Sequence, residues 1–293
     1  MNKADLNRIV ILGSSGQLGT ALNQVLTGPD ISVAPLTRID FDADSDDPFD
    51  KLADYSTCDY LINCIVYHKV DKCEHNVDKS FRINSELVFN LAKFCAKNDI
   101  TFIHVSTDYV FDGLSQTAYT ETDLPSPLNV YGASKLAGES FVKAYAPKHF
   151  IFRVSSLYGR SPSSDPGVNF VQKMIHAAKE KQSLRVIDNQ IMSPTYTGDV
   201  ALAMKTFIER GVTDYGLYHA CNSGECSWFE FARRIFDLTG LDADLTPISY
   251  DQYHTGARRP QFCSMDNSKL SRHHTMRPWP EALAEYLSQK EYL

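Results

Sequence analysis

The sequence predicts an α/β protein: a doubly wound parallel sheet with a smaller C-terminal lobe. Three observations lead there. The apolar run Arg8-Ile9-Val10-Ile11-Leu12 passes straight into a glycine-spaced turn, Gly13 to Gly19, and then into an amphipathic helix. Short β-branched and aromatic runs alternate with longer helical patterns as far as residue 154, as repeated β-α units do. One of those strands ends in Ser106-Thr107, and the next helix carries Tyr131 and Lys135 four residues apart. Residues 1–158 are expected to form a dinucleotide-binding domain and 159–293 a substrate-binding lobe, part of which returns to the sheet.

The first strand and its turn set the ligand edge. Glycines let the backbone turn tightly and approach a pyrophosphate, and the following helix offers free N–H groups and a positive dipole end. Gly13, Ser15, Gly16, Gln17 and Leu18 are therefore cofactor candidates, although Gly-x-x-Gly-x-x-Gly is not the usual dinucleotide spacing. A second strand over 31–36 leads to Arg38, Asp40 and Phe41, where an adenosine ribose belongs. An acidic side chain there accepts from a free ribose and an arginine pairs with a 2′-phosphate, so NADPH or NADH is left open. The Asp-rich segment 42–50 is expected to be solvated and to cap a helix, without a catalytic role.

A third strand over 59–65 is followed by Val66, Tyr67 and His68, and a helix is expected over 77–98 with Leu87, Val88, Leu91 and Cys95 facing the core. Asn84 on it could relay a proton or satisfy backbone groups; its sequence position does not choose. The fourth strand, 101–105, delivers Val105, Ser106, Thr107 and Asp108 to the ligand edge. On a helix over 129–146, Tyr131 and Lys135 share one face. An ammonium beside a phenol is expected to lower the phenol's pKa, making Tyr131 a proton donor and Thr107 the holder of the oxygen being protonated. The same spacing recurs at Tyr286 and Lys290, where it reads as a surface helix pair.

A fifth strand at 150–154 closes the regular alternation. The polar loop 160–167 marks a boundary, and beyond it helices are expected at 168–182, 196–210 and 227–239, with a strand at 184–187. Arg258 and Arg259 sit in a late loop, where they could clamp an anion or solvate a surface, with equal weight.

Composition excludes several classes. A net charge of −7 without a basic stripe argues against nucleic acid. No apolar run approaches a membrane span, so a cytoplasmic protein is expected. Seven scattered cysteines without Cys-x-x-Cys suggest neither a disulfide framework nor zinc, and nine histidines lack ligand spacing, so no metal is expected.

Taken together, Gly13 to Gly19, Ser106-Thr107-Asp108-Tyr109-Val110-Phe111-Asp112-Gly113, Asn129-Val130-Tyr131 with Lys135 and Glu139, Asn189 to Thr195, and Ala257-Arg258-Arg259-Pro260 resemble the dTDP-4-dehydrorhamnose reductase family. That family belongs to the extended short-chain dehydrogenase/reductases. The resemblance implies that Tyr131 protonates a carbonyl, that Lys135 binds the nicotinamide ribose and tunes Tyr131, and that Thr107 hydrogen-bonds the carbonyl. It implies cofactor contacts at Gln17, Leu18, Asp40, Phe41, Val66, Tyr67 and His68, and a nucleotide-linked 4-keto-6-deoxyhexose as substrate. Asp108, Ser156, Asn169, Gln190 and Arg258 join Thr107 as expected substrate contacts, and a homodimer is left open. The chain departs from the family at Cys64-Ile65-Val66, at Ser156 where a tryptophan is usual, and at Met192 where glycine is usual, which puts the particular sugar in question. Members that bind magnesium use a glutamate after the glycine loop, where this chain has Thr20-Ala21. Two other readings share the fold: a non-catalytic regulatory subunit of the methionine adenosyltransferase type, and a nucleotide-sugar epimerase or dehydratase.

Overall fold

The computed structural model describes residues 7–45, 49–160, 169–253 and 256–289. Its first strand, β1 (Asn7–Leu12), alternates strictly. Ile9 and Ile11 face one apolar layer with Leu18, Leu22 and Phe207, while Val10 and Leu12 face another with Leu87, Leu91 and Val142. A strand buried on both faces must be apolar, which is why Ile9–Leu12 lack polar residues while Asn7 and Arg8 stand at its less buried start. The glycine turn leads into α1 (Gln17–Val25), followed by β2 (Ile31–Leu36) and β3 (Tyr60–Asn63).

The expected single helix over 77–98 is broken. After the short α2 (Val70–His75) it runs as α3 (Val77–Phe81), a π-helical turn (Arg82–Glu86) and α4 (Leu87–Lys97). The extra residue of the π turn falls around Asn84, whose side chain is occupied on both sides. Its Oδ1 accepts from the Tyr67 N–H, while its Nδ2 donates to the Tyr67 carbonyl and to Ser134 Oγ. Asn84 therefore clamps the segment after β3.

β4 (Thr101–Thr107), α5 (Val130–Tyr145) and β5 (His149–Val154) follow. The rest of the chain comprises β6 (Leu157–Tyr158), α6 (Phe170–Lys179), β7 (Leu184–Ile187), β8 (Ile191–Met192), β9 (Thr195–Tyr196), α7 (Thr197–Glu209), β10 (Gly216–His219), β11 (Cys226–Ser227), α8 (Trp228–Thr239), β12 (Leu245–Ile248) and α9 (Trp279–Ser288). The main sheet has the order β10-β5-β4-β3-β1-β2, with every pairing parallel. The chain leaves β1 toward β2 and then returns to the other side of β1 as β3. That reversal opens a crevice above β1 and β3, where such sheets bind ligands. β10 and α7 belong to the main sheet and its core, whereas α6, α8 and α9 build a separate apolar cluster around Tyr158, Phe231 and Tyr286.

Three expectations are corrected here. Tyr286 is fully buried in that cluster and accepts from Asn169 and Gln172, so it is no surface pair; Lys290 lies outside the described residues. Met192 is buried on β8 opposite Cys226, inside the same apolar cluster rather than in a ligand cleft. Asp44, in the segment expected to be solvated and to cap a helix, pairs instead with Lys79, Arg82 and Arg38. Asp46 and Asp47 of that segment, and the boundary loop beyond Arg160, lie outside the described residues.

Candidate active site

The glycine turn can be read atom by atom. Gly13 has φ of +76°, open to glycine at little cost, and a Cβ on Gly19 would stand 2.4 Å from the Gly13 carbonyl oxygen, so both are required by the turn itself. Gly16 is different: its φ is −74° and the nearest atom to a Cβ there is 3.4 Å away. The protein does not need glycine at that point. Yet Gly16 caps α1, no side chain fills the helix N-terminus, and Gly16 lines both clefts that open beside it. A bare helix N-terminus under a side-chain-free position fits the pyrophosphate of a dinucleotide.

The first cleft, about 370 Å³, runs from Gln17 and Leu18 past Val66 and His68 to Val105, Thr107, Asp108, Tyr131, Lys135 and Ser156. The second, about 390 Å³, takes in Gly13, Ser15, Arg38, Phe41, Tyr67 and Lys79. They share Gly16, Cys64, Ile65, Val66 and His68, so the two halves adjoin. The fold thus gathers nearly all the expected cofactor residues around one continuous crevice.

Asp40 is the exception. It is exposed and outside the described lining of either cleft; its carboxylate accepts from the N–H and the hydroxyl of Thr37, which holds it below its ordinary pKa. An aspartate can close a turn on a residue three before it, and Asp40 spends its carboxylate this way on Thr37. Arg38 lines the second cleft and pairs with Asp42 and Asp44. Asp42, Asp44, Lys79 and Ile83 line it too and were not anticipated; basic residues spaced along α3 and the π turn were the available signal.

Three expected substrate residues are engaged elsewhere, and the described lining of the two clefts includes none of them. Asn169 caps α6 through Oδ1, and its Nδ2 donates to the Gly159 carbonyl, to Gln17 and to Tyr286. Gln190 is buried and donates to the Pro260 carbonyl. The Arg258 side chain is exposed, and its carbonyl accepts from Asn129. Arg259 is the more buried of the two late arginines and binds Asp71 at 2.6 Å.

The chemistry centres on α5. Asn129 caps it by accepting from the Gly132 N–H at 2.8 Å, which fixes the first turn and the direction of Tyr131. The Tyr131 ring meets Tyr109 edge-on at 5.9 Å between centroids. Burial pushes the Tyr131 phenol above its ordinary pKa, and a hydrogen bond with Thr107 partly offsets this. The net shift of Tyr131 is therefore upward, where a lowering was expected. Lys135 points to the end of β4 instead, where its Nζ donates to the Val105 carbonyl at 2.7 Å and lies 3.2 Å from His104 Nε2. Burial brings Lys135 down to about 8. A phenol kept protonated at neutral pH suits an acid, because the alkoxide formed by reducing a ketone is a stronger base than a phenolate.

Thr107 stands between Tyr131 and an interior acid. Its hydroxyl donates to Asp108 Oδ1 at 3.0 Å, and Ser155 donates to Asp108 Oδ2 at 2.7 Å. Burial raises Asp108 to about 6 against these donors. The single hydroxyl hydrogen of Thr107 is thus directed at Asp108.

The comparisons with known proteins match this geometry. The RmlD substrate binding domain model covers residues 7–292. The chain belongs to the dTDP-4-dehydrorhamnose reductase family. A dTDP-4-dehydrorhamnose reductase of Sinorhizobium fredii is 34% identical over 90% of this chain and 90% of its own. The spore coat polysaccharide biosynthesis protein SpsK of Bacillus subtilis is 33% identical over 97% of this chain and 98% of its own. Among solved structures, the family's reductase from Bacillus anthracis in complex with NADP superposes with a TM-score of 0.90 at 33% identity, covering 97% of this chain and 99% of that one. Family membership accounts for the glycine turn, the Tyr131–Lys135 helix and the sheet order together.

Proposed function

We propose that the protein is an NAD(P)H-dependent reductase acting on the C4 ketone of a nucleotide-linked 4-keto-6-deoxyhexose, with Tyr131, Thr107 and Lys135 carrying the reaction. The reading rests on one observation above the others: the Tyr131 acid and the Thr107 hydroxyl face one cleft, and the side-chain-free α1 N-terminus opens into the same cleft. NADPH or NADH, when bound, supplies the hydride. Tyr131 gives its proton to the carbonyl oxygen as charge develops there, and Thr107 orients that oxygen. Lys135 anchors the floor between β4 and the cleft. Gln17, Leu18, Val66 and His68 line the wall on the cofactor side, and Ser156 lines the side facing Tyr131. The family assignment supports a dTDP-sugar, since the relatives carry that substrate in their names.

No observation favours a non-catalytic subunit or an epimerase or dehydratase. Oxidation of NADPH and NADH, followed at 340 nm against a panel of nucleotide 4-keto-6-deoxysugars, tests the proposal. Turnover of at least one such sugar is expected; stoichiometric cofactor binding with no turnover of any would overturn it.

A further inference from the structure

Below Lys135 lies a buried chain of polar groups whose donors and acceptors can be counted. Asn63 at the end of β3, His104 on β4 and Lys135 are 0%, 0% and 2% exposed. Asn63 Oδ1 accepts from the Ile65 N–H at 3.0 Å, which fixes the amide's orientation. Its Nδ2 consequently faces His104 Nδ1, at 3.3 Å, as a donor. An imidazole nitrogen facing a donor must carry the lone pair, so this accounting assigns the ring hydrogen of His104 to Nε2. Nε2 in turn stands 3.2 Å from Lys135 Nζ. An ammonium has no lone pair with which to receive that hydrogen, whereas a neutral amine has one and still donates to the Val105 carbonyl.

We propose that Asn63 and His104 form a clasp that stabilises the neutral amine of Lys135, making His104 a positioning residue that sets when Lys135 carries its charge. As an ammonium, Lys135 keeps Val105 and turns away from Nε2–H; as an amine, it is held against His104. The groups facing Lys135 agree. Burial keeps His104 neutral by driving its pKa well below the ordinary value. Cys64, beyond β3, is pushed up to about 12 and stays a thiol near neutral pH. Glu139, one turn further along α5, favours the ammonium, but it is already bound to Arg153 of β5 and to Ser106 of β4. Tyr131, one turn earlier, is raised and so stays neutral.

The consequence for catalysis rests on the role given to Lys135 above, whereas the clasp itself is measurable without turnover. The decisive variant is Asn63→Asp. A carboxylate accepts from both the Ile65 N–H and His104, so the ring hydrogen moves to Nδ1 and Nε2 becomes an acceptor for the Lys135 ammonium. Nitrogen-15 and carbon-13 NMR of the full chain between pH 6 and 10 reads both the His104 tautomer and the Lys135 titration, with Lys135→Arg identifying the lysine signal. In the native protein the ring hydrogen is expected on Nε2 with Lys135 titrating well below an ordinary lysine. Asn63→Asp should move the hydrogen to Nδ1 and raise the Lys135 midpoint by about one pH unit or more. In a His104→Phe background the same change should shift Lys135 by much less, because only the through-space charge remains. An Nδ1–H tautomer in the native protein, an ordinary lysine midpoint, or an equal shift with and without the imidazole would each overturn the clasp. The alkaline limb of kcat/KM for NADPH should move with the Lys135 midpoint. If no keto-sugar is turned over, the functional reading fails while the NMR still decides the clasp.

Discussion

Glu139 and Arg153 form a bidentate pair in which Nε and Nη2 each lie 2.7 Å from a carboxylate oxygen, with the two side chains 0% and 1% exposed. The pair ties α5 to β5 one turn below Lys135, and Ser106 adds a third donor at 2.6 Å. Removing one partner leaves the other charge buried and uncompensated. Glu139→Ala is expected to cost about 3–5 kcal/mol, measured by urea unfolding, and a loss no greater than that of a surface substitution would contradict this account.

Tyr131→Phe keeps the ring against Tyr109 and removes the acid. Turnover should fall by about 10²–10⁴-fold, while NADPH affinity, followed by cofactor fluorescence, stays nearly unchanged. A variant retaining most of its activity would remove Tyr131 from the proton transfer.

Arg38 lines the second cleft but is 74% exposed and already paired with Asp42 and Asp44. Its contact with a 2′-phosphate would be solvent-screened. Arg38→Ala is expected to raise the apparent KM for NADPH by up to about tenfold and to leave NADH nearly unaffected. Since Asp40 is turned into its own loop, Asp40→Ala should change the two cofactors alike; a selective loss of NADH would return Asp40 to the ribose.

Asp108 gives a pH signature. Its folded pKa of about 6 lies above the ordinary carboxyl value, so the native state holds this proton more tightly than the unfolded chain. The resulting stabilisation is complete below about pH 4 and disappears as pH rises through 6. Relative to Asp108→Asn, the native protein should lose on the order of 2–3 kcal/mol between those limits. Parallel curves of Tm against pH for the two proteins would show that Asp108 titrates normally.

Ser156 and Met192 part company. Ser156 lines the cleft with φ of +43°, a backbone setting costly for a bulky side chain, whereas Met192 packs in the apolar cluster of the C-terminal elements. Met192→Ala should therefore lower stability by about 2–5 kcal/mol and leave the ranking of sugar substrates unchanged. Ser156→Gly should alter that ranking with little loss of stability. A change of sugar preference in the Met192 variant would bring that side chain back into contact with substrate.

Much of this was legible in the chain. The alternation of Ile9 and Ile11 with Val10 and Leu12, the glycines after β1, the Asn129 cap and the four-residue spacing of Tyr131 and Lys135 are local patterns. Backbone geometry alone converts them into strands, a turn and one face of a helix. They were sufficient to bring nearly all the cofactor candidates to one crevice. Spacing carries no information about which distant group a side chain will meet. Asp40 closes on Thr37, Asn169 on Gly159 and Tyr286, Gln190 on Pro260, and Met192 on its apolar neighbours because those partners arrive through the fold. The proton chemistry was hidden for the same reason. One turn of helix predicts a lysine beside a tyrosine, but the tertiary structure buries Lys135 and gives it to Val105 and His104, while Tyr131 stands half-buried in the cleft wall, where desolvation raises its phenol.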